Sequence, residues 1–102
     1  MSRKPKKLLN NPNDVPAEQL EGLIYACGGK LVKVDGYSGV FRHDIKPDQV
    51  VVVTGGGSGH EPMFAGYVGK GLADAAALGE IFASPSPDII IETTKMAHKG
   101  QG

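Results

Sequence analysis

Residues 50–62 read Val50-Val51-Val52-Val53-Thr54-Gly55-Gly56-Gly57-Ser58-Gly59-His60-Glu61-Pro62, a β-branched run that gives way at once to four glycines, a hydroxyl and an imidazole. Four valines without polar alternation predict a strand buried on both faces, in the middle of a parallel or mixed sheet covered by helices. Residues 54–59 then read as a glycine loop at the strand's carboxyl end, where open α/β sheets bind ligands. Seven of the 15 glycines lie between Gly55 and Gly71, so the chain concentrates its backbone freedom here.

The flanking sequence supplies the covering layers. Asn10-Asn11-Pro12-Asn13-Asp14 is turn-rich, Pro16 suits a first helical turn, and Leu20, Leu23, Ile24 and Cys27 form one apolar stripe that Gly28-Gly29 stops. Leu31-Val32-Lys33-Val34 and Val40-Phe41-Arg42 read as short strands around the turn Asp35-Gly36-Tyr37-Ser38-Gly39. Residues 60–68 allow a helical turn or two. Residues 72–78, with four alanines, read as helix, and Ile81-Phe82-Ala83 as a short buried strand. Ser84-Pro85-Ser86-Pro87-Asp88 breaks the chain and opens a last helix, with Ser86 as cap, Pro87 at its first position and Asp88 near the positive dipole end; it also falls where a pocket wall would be. The expectation is an α/β fold, a mixed or mostly parallel sheet covered by helices. The sequence ends at Gln101-Gly102 just after that helix, so the sheet reads as unfinished, with an open edge that favours association into a homo-oligomer.

Composition removes several functions. Lys plus Arg number 11 and Asp plus Glu 11, and a formal charge of zero argues against a dedicated nucleic-acid binder, which needs a basic face to displace phosphate counterions. The one basic run, Arg3, Lys4, Lys6 and Lys7, reads as a solvated terminus. A single cysteine, Cys27, makes neither an internal disulfide nor a thiolate zinc site and fits a reducing compartment. No apolar stretch reaches the roughly 18 residues of a membrane span, and the first residues lack a signal-peptide core. A soluble, cytoplasmic protein of one domain is expected, without membrane or nucleic-acid partners. Asp35, Asp44, Asp48, Asp74 and Glu80 form no metal-ligand pattern, so no protein-held metal is expected; His43 and His98 read as solvated surface.

Known glycine motifs fail on this run. A dinucleotide fingerprint beginning at Gly55 needs glycine at position 60, which is His60; Gly69-Lys70-Gly71 lacks the hydroxyl and spacing of a phosphate loop; a nucleophile elbow around Ser58 again needs glycine at position 60. Two readings remain. One is a backbone cradle for a small oxygen-rich ligand, with His60 donating to a carbonyl or accepting a hydroxyl proton. The other is a tight strand-to-helix turn with His60 partly exposed.

Lys6-Lys7-Leu8-Leu9-Asn10-Asn11-Pro12, Glu21-Gly22-Leu23, Gly55-Gly56-Gly57-Ser58-Gly59-His60-Glu61-Pro62, Gly69-Lys70-Gly71 and Phe82-Ala83-Ser84-Pro85-Ser86-Pro87-Asp88, in that order through nearly the whole chain, resemble the amino-terminal part of the dihydroxyacetone kinase family. The resemblance implies that residues 1–102 are the amino-terminal portion of a DhaK-type substrate-binding domain, an incomplete part of a larger unit that holds dihydroxyacetone or a related small keto-sugar. It implies that the backbone of Gly57, Ser58 and Gly59 contacts substrate oxygens and that His60 stands beside the reacting hydroxyl as proton acceptor or hydrogen-bond partner. The family's covalent histidine, lysine and aspartate would lie beyond Gly102. The phosphoryl donor would be ATP, or ADP recharged from phosphoenolpyruvate, with magnesium, on a separate nucleotide-carrying domain or kinase subunit. The functions left in competition are phosphorylation of a small keto-sugar, a non-catalytic ligand-sensing or regulatory role, and an inactive truncated fragment.

Overall fold

The Asn11 side chain accepts from the backbone N–H of Asn13 at 3.0 Å and starts a 3-10 turn, Pro12–Asp14, that leads into helix α1, Val15–Ala26. Pro16 occupies the first turn, where its missing N–H leaves no bond unmade. Gly28 and Gly29 stop the helix at φ +59° and +86°. The structure is a computed structural model that describes residues 4–102; Met1, Ser2 and Arg3, the last belonging to the basic run, lie outside the described residues.

Strands β1 (Leu31–Lys33) and β2 (Gly39–Arg42) form an antiparallel hairpin, followed by β3 (Val53–Ser58), β4 (Ala75–Ile81) and helix α2 (Pro87–Ala97). The sheet order is β1-β2-β4-β3; β4 is antiparallel to β2 and parallel to β3. Side chains alternate between two cores. Leu31, Val40, Ala76 and Leu78 meet Leu20, Leu23, Ile24 and Cys27 of the α1 side, while Phe41 and Ala75 meet Val34, Ile45 and Ala97 on the other. This is the mixed α/β sheet expected, with a helix on each face.

Four local expectations differ from the structure. The valine run is not a doubly buried central strand: Val50 and Val52 are 67% and 59% exposed, Val51 and Val53 pack inward, and the strand begins only at Val53. The run therefore has one buried side, and β3 has only β4 as neighbour among the described residues. Residues 54–58 are strand rather than glycine loop, in regular register with β4 as far as Gly57. Residues 72–78 are not a helix: from Ala75 they become β4, because the strand between β2 and β3 must be narrow enough for both flanking layers, and burial overrides alanine's helix preference. Residues 81–83 are the exposed end of β4 and a turn, not a buried strand. The final helix, its Ser86 cap and Pro87 start are as expected, with Ser86 Oγ accepting from Ile89 N–H at 3.4 Å.

A buried ionic cluster fastens the long β2–β3 connection. Arg42 donates to Asp74 at 2.9 Å and to Asp44 at 2.8 Å, while Asp74 also accepts from Gln49 at 3.2 Å and from the Val52 N–H at 2.8 Å.

Candidate functional site at the carboxyl ends of two parallel strands

Because β3 and β4 run parallel, their carboxyl ends emerge together. The ladder is regular from Val53 opposite Ala75 to Gly57 opposite Gly79; a bulge then skips Glu80, so that Ser58 faces Ile81. An extra residue bends a strand and re-aims the residues beyond it. Ser58 Oγ donates to the Gly79 carbonyl at 2.7 Å, and the Phe82 N–H donates to the Ser58 carbonyl at 2.7 Å. These bonds set Gly59-His60 beside Phe82-Ala83, just beyond the sheet.

His60 is exposed, but its ring is not free of the protein: it lies 5.0 Å from the Phe82 ring, centroid to centroid, with the planes tilted by 59°. That separation is within the range of favourable aromatic pairs. Gly59, at φ +98°, leaves room for this pair, since a Cβ there would come within 2.8 Å of Phe82 Cε1. Phe82 itself has φ +53° and is the one non-glycine residue with positive φ among the described residues. Such backbone costs an ordinary side chain of order 1–3 kcal/mol.

Glu61 completes the turn. Its carboxylate accepts from the Gly59 N–H at 2.9 and 3.2 Å through its two oxygens. Burial pushes the Glu61 carboxyl upward, but the N–H groups of Glu61 and Gly59, the Gln19 side chain and the nearby His60 together pull it below the ordinary glutamate value. An amide that holds a carboxylate oxygen this way has the geometry to hold a hydroxyl or carbonyl oxygen.

The four residues singled out from sequence are thus placed differently from one another. Gly57 and Ser58 are buried members of β3, and the Ser58 hydroxyl is already committed to Gly79. Gly59 presents its N–H to Glu61, and His60 stands at the surface against Phe82. Gly59 and His60 lie together beyond the strand ends, while Gly57 and Ser58 form the floor. Sequence reasoning missed Glu61 and Phe82. Reading residues 75–81 as a strand would have put Phe82 at a carboxyl end next to His60; nothing local signals the Glu61 contact. Behind the turn, a mainly apolar cavity of about 380 Å³ is lined by Leu20, Leu23, Ser58, Glu61, Ala65 and Leu78, among others.

Other candidates stay apart from this place. His43 Nδ1 lies 3.1 Å from the Lys30 carbonyl, and His98 follows α2; both are exposed. Among the described residues no group of three or more His, Cys, Asp or Glu side chains could share a metal ion, and no helix is long and apolar enough to cross a membrane. Glycines 55–57 are registered strand positions and do not form a phosphate-cradling loop.

A family model described as the Dak1 domain matches residues 21–102. The chain is 46% identical over 97 residues to the dihydroxyacetone-binding subunit DhaK of a PTS-dependent dihydroxyacetone kinase from Lactococcus lactis, a match covering 95% of this chain and 29% of that subunit. The dihydroxyacetone kinase of C. freundii, solved in complex with AMP-PNP and Mg2+, superposes with a TM-score of 0.83 at 32% identity, over 91% of this chain and 18% of that one. The dihydroxyacetone kinase operon co-activator Dha-DhaQ superposes with a TM-score of 0.77 at 30% identity, over 84% of this chain and 26% of that one. The chain therefore spans less than a third of each of these relatives.

Proposed function

This chain belongs to the Dak1 domain family, and from that premise we propose that residues 1–102 are the amino-terminal portion of a DhaK-type substrate-binding domain serving the phosphorylation of dihydroxyacetone or a related small keto-sugar. The observation that carries the reading is the position of His60, an imidazole at the carboxyl end of a parallel strand pair, in a chain 46% identical to a dihydroxyacetone-binding subunit. A His60 ring nitrogen would hydrogen-bond the attacking ketose hydroxyl and take its proton as the new oxygen–phosphorus bond forms and the donor's own phosphorus–oxygen bond breaks, leaving ADP. The Gly59 N–H exchanges the Glu61 carboxylate for a ketose oxygen, and Gly57 and Ser58 fix the floor beneath. The donor, ATP or a subunit carrying ADP with magnesium, belongs to another domain or subunit, which supplies the phosphoryl group and neutralises its charge. A reducing, cytoplasmic setting and a homo-oligomeric assembly go with this reading.

The test is phosphate transfer to dihydroxyacetone by the complete DhaK-type protein that carries these residues, in the presence of the donor subunit. His60→Ala is expected to lower the rate about 10²- to 10⁴-fold, the usual contribution of a general base. A rate within about twofold of the unsubstituted protein overturns the role. The superposition on an operon co-activator favours a second reading, a ketose sensor without transfer. Ketose binding that persists with no product from a charged donor would select it.

A further inference from the structure

Phe82 combines three properties that do not fit an ordinary core residue. It is 69% exposed, so burial does not offset its left-handed backbone at φ +53°. It is nevertheless tied down on both sides: its N–H donates to the Ser58 carbonyl at 2.7 Å and the following Ala83 N–H donates to the Glu80 carbonyl at 3.0 Å. Its ring lies against the His60 imidazole and above Gly59, where any Cβ would collide with it. Strain that persists at an exposed residue, held by neighbouring bonds and aimed at a titratable side chain, is a reason to look for function.

We infer that the Phe82 ring is a positioning group for His60, holding the imidazole over the joined carboxyl ends of β3 and β4. The inference rests on reading His60 as the residue beside the ketose hydroxyl. Without the ring, an exposed imidazole that follows a glycine at φ +98° loses its aromatic neighbour, and it would have to be ordered afresh whenever a ketose binds.

The experiment compares the unsubstituted chain with Phe82→Gly and Phe82→Tyr by nuclear magnetic resonance. Glycine suits the left-handed backbone and removes only the ring, so this variant keeps the fold; tyrosine keeps the ring. In the unsubstituted chain and in Phe82→Tyr, the carbon-bound imidazole protons of His60 are expected to be displaced by the aromatic ring current, with side-chain couplings of a single rotamer. In Phe82→Gly the displacement disappears and the couplings average. Dihydroxyacetone affinity, titrated in the same samples, should fall about tenfold in Phe82→Gly and return to within about twofold in Phe82→Tyr. Unchanged His60 signals in Phe82→Gly, or a Phe82→Tyr variant that restores neither signal nor affinity, overturn the inference. Failure of the functional reading looks different: Phe82→Gly still frees the imidazole, but neither it nor His60→Ala alters ketose binding or transfer.

Discussion

Thr93 sits so close to the sheet that its Oγ1 would be struck by any Cβ placed on Gly39, and that hydroxyl is fully buried without a hydrogen-bond partner. Valine has the same branched shape and no hydroxyl to satisfy. An unpaired buried polar group costs about 1–3 kcal/mol, so Thr93→Val should stabilise the chain by about 1 kcal/mol and raise Tm by roughly 4–8 °C in a thermal melt. A lower Tm would mean that the hydroxyl has a partner in solution. The glycines of β3 obey the same rule of close approach. A Cβ on Gly55 would come within 2.6 Å of the Ala77 carbonyl oxygen, one on Gly57 within 2.7 Å of the Ala83 nitrogen, and one on Gly56 would run into the Phe64 ring. Within the run, only Gly59 uses glycine's access to positive φ. From sequence these two uses of glycine look alike, which is why the run reads as a loop although most of it is strand. The histidine after it was legible; its partners Glu61 and Phe82 were not, because one contact depends on how the turn folds back and the other on a residue just past the distant end of β4.

Elements whose signals are local are the ones that sequence locates. Helix α2 has Ser86, Pro87 and Asp88 at its start, and α1 has an apolar stripe and two terminal glycines, so both could be placed before any tertiary contact was known. Strand β4 has no such signal. Its alanines favour helix in isolation and become strand only because β2 and β3 flank them. The connection from β2 to β3 is likewise held from a distance, by Asp74 just ahead of β4. Asp74 is 4% exposed and receives Arg42, Gln49 and the Val52 N–H together. Asp74→Ala would leave the Arg42 guanidinium buried with only the half-exposed Asp44, and removing one member of a buried pair costs about 3–5 kcal/mol. Urea unfolding should register that loss as a lower midpoint with little change in slope. A loss below about 1 kcal/mol would show that water replaces the carboxylate and that the cluster does not hold the connection.

For the molecule as a whole, the carboxylates set the acid limit of the fold. Hydrogen bonding to Arg42, opposed by partial desolvation and aided by the guanidinium charge, holds Asp44 below its ordinary value of 3.8, and Glu61 lies below its ordinary value of 4.5 through the N–H groups around it. A group whose pKa is lower folded than unfolded contributes stability that is fully present above the unfolded value and disappears as pH falls through the folded one. Arg42 is shifted the opposite way, above the ordinary guanidinium value, chiefly by its hydrogen bond to Asp44, so its contribution is complete below that value and is lost only in strong alkali. These carboxylates therefore contribute a constant stability from neutral pH down to about pH 5, then a decline beginning near the unfolded glutamate value and steepening near the aspartate value. Urea midpoints measured across this range should follow that curve. Asp44→Asn should remove the lower part of the decline and Glu61→Gln the upper part, each at some cost in stability at neutral pH. Added salt should reduce the Asp44 part more, since Asp44 is held by a charge pair with Arg42 that is open to screening, whereas Glu61 is held mainly by backbone N–H groups. Glu61→Gln carries a second readout, because an amide oxygen accepts from the Gly59 N–H more weakly than a carboxylate does. If a ketose oxygen replaces Glu61 there, this variant should bind dihydroxyacetone at least as tightly as the unsubstituted chain at neutral pH. Weaker binding would place Glu61 among the groups that hold the sugar.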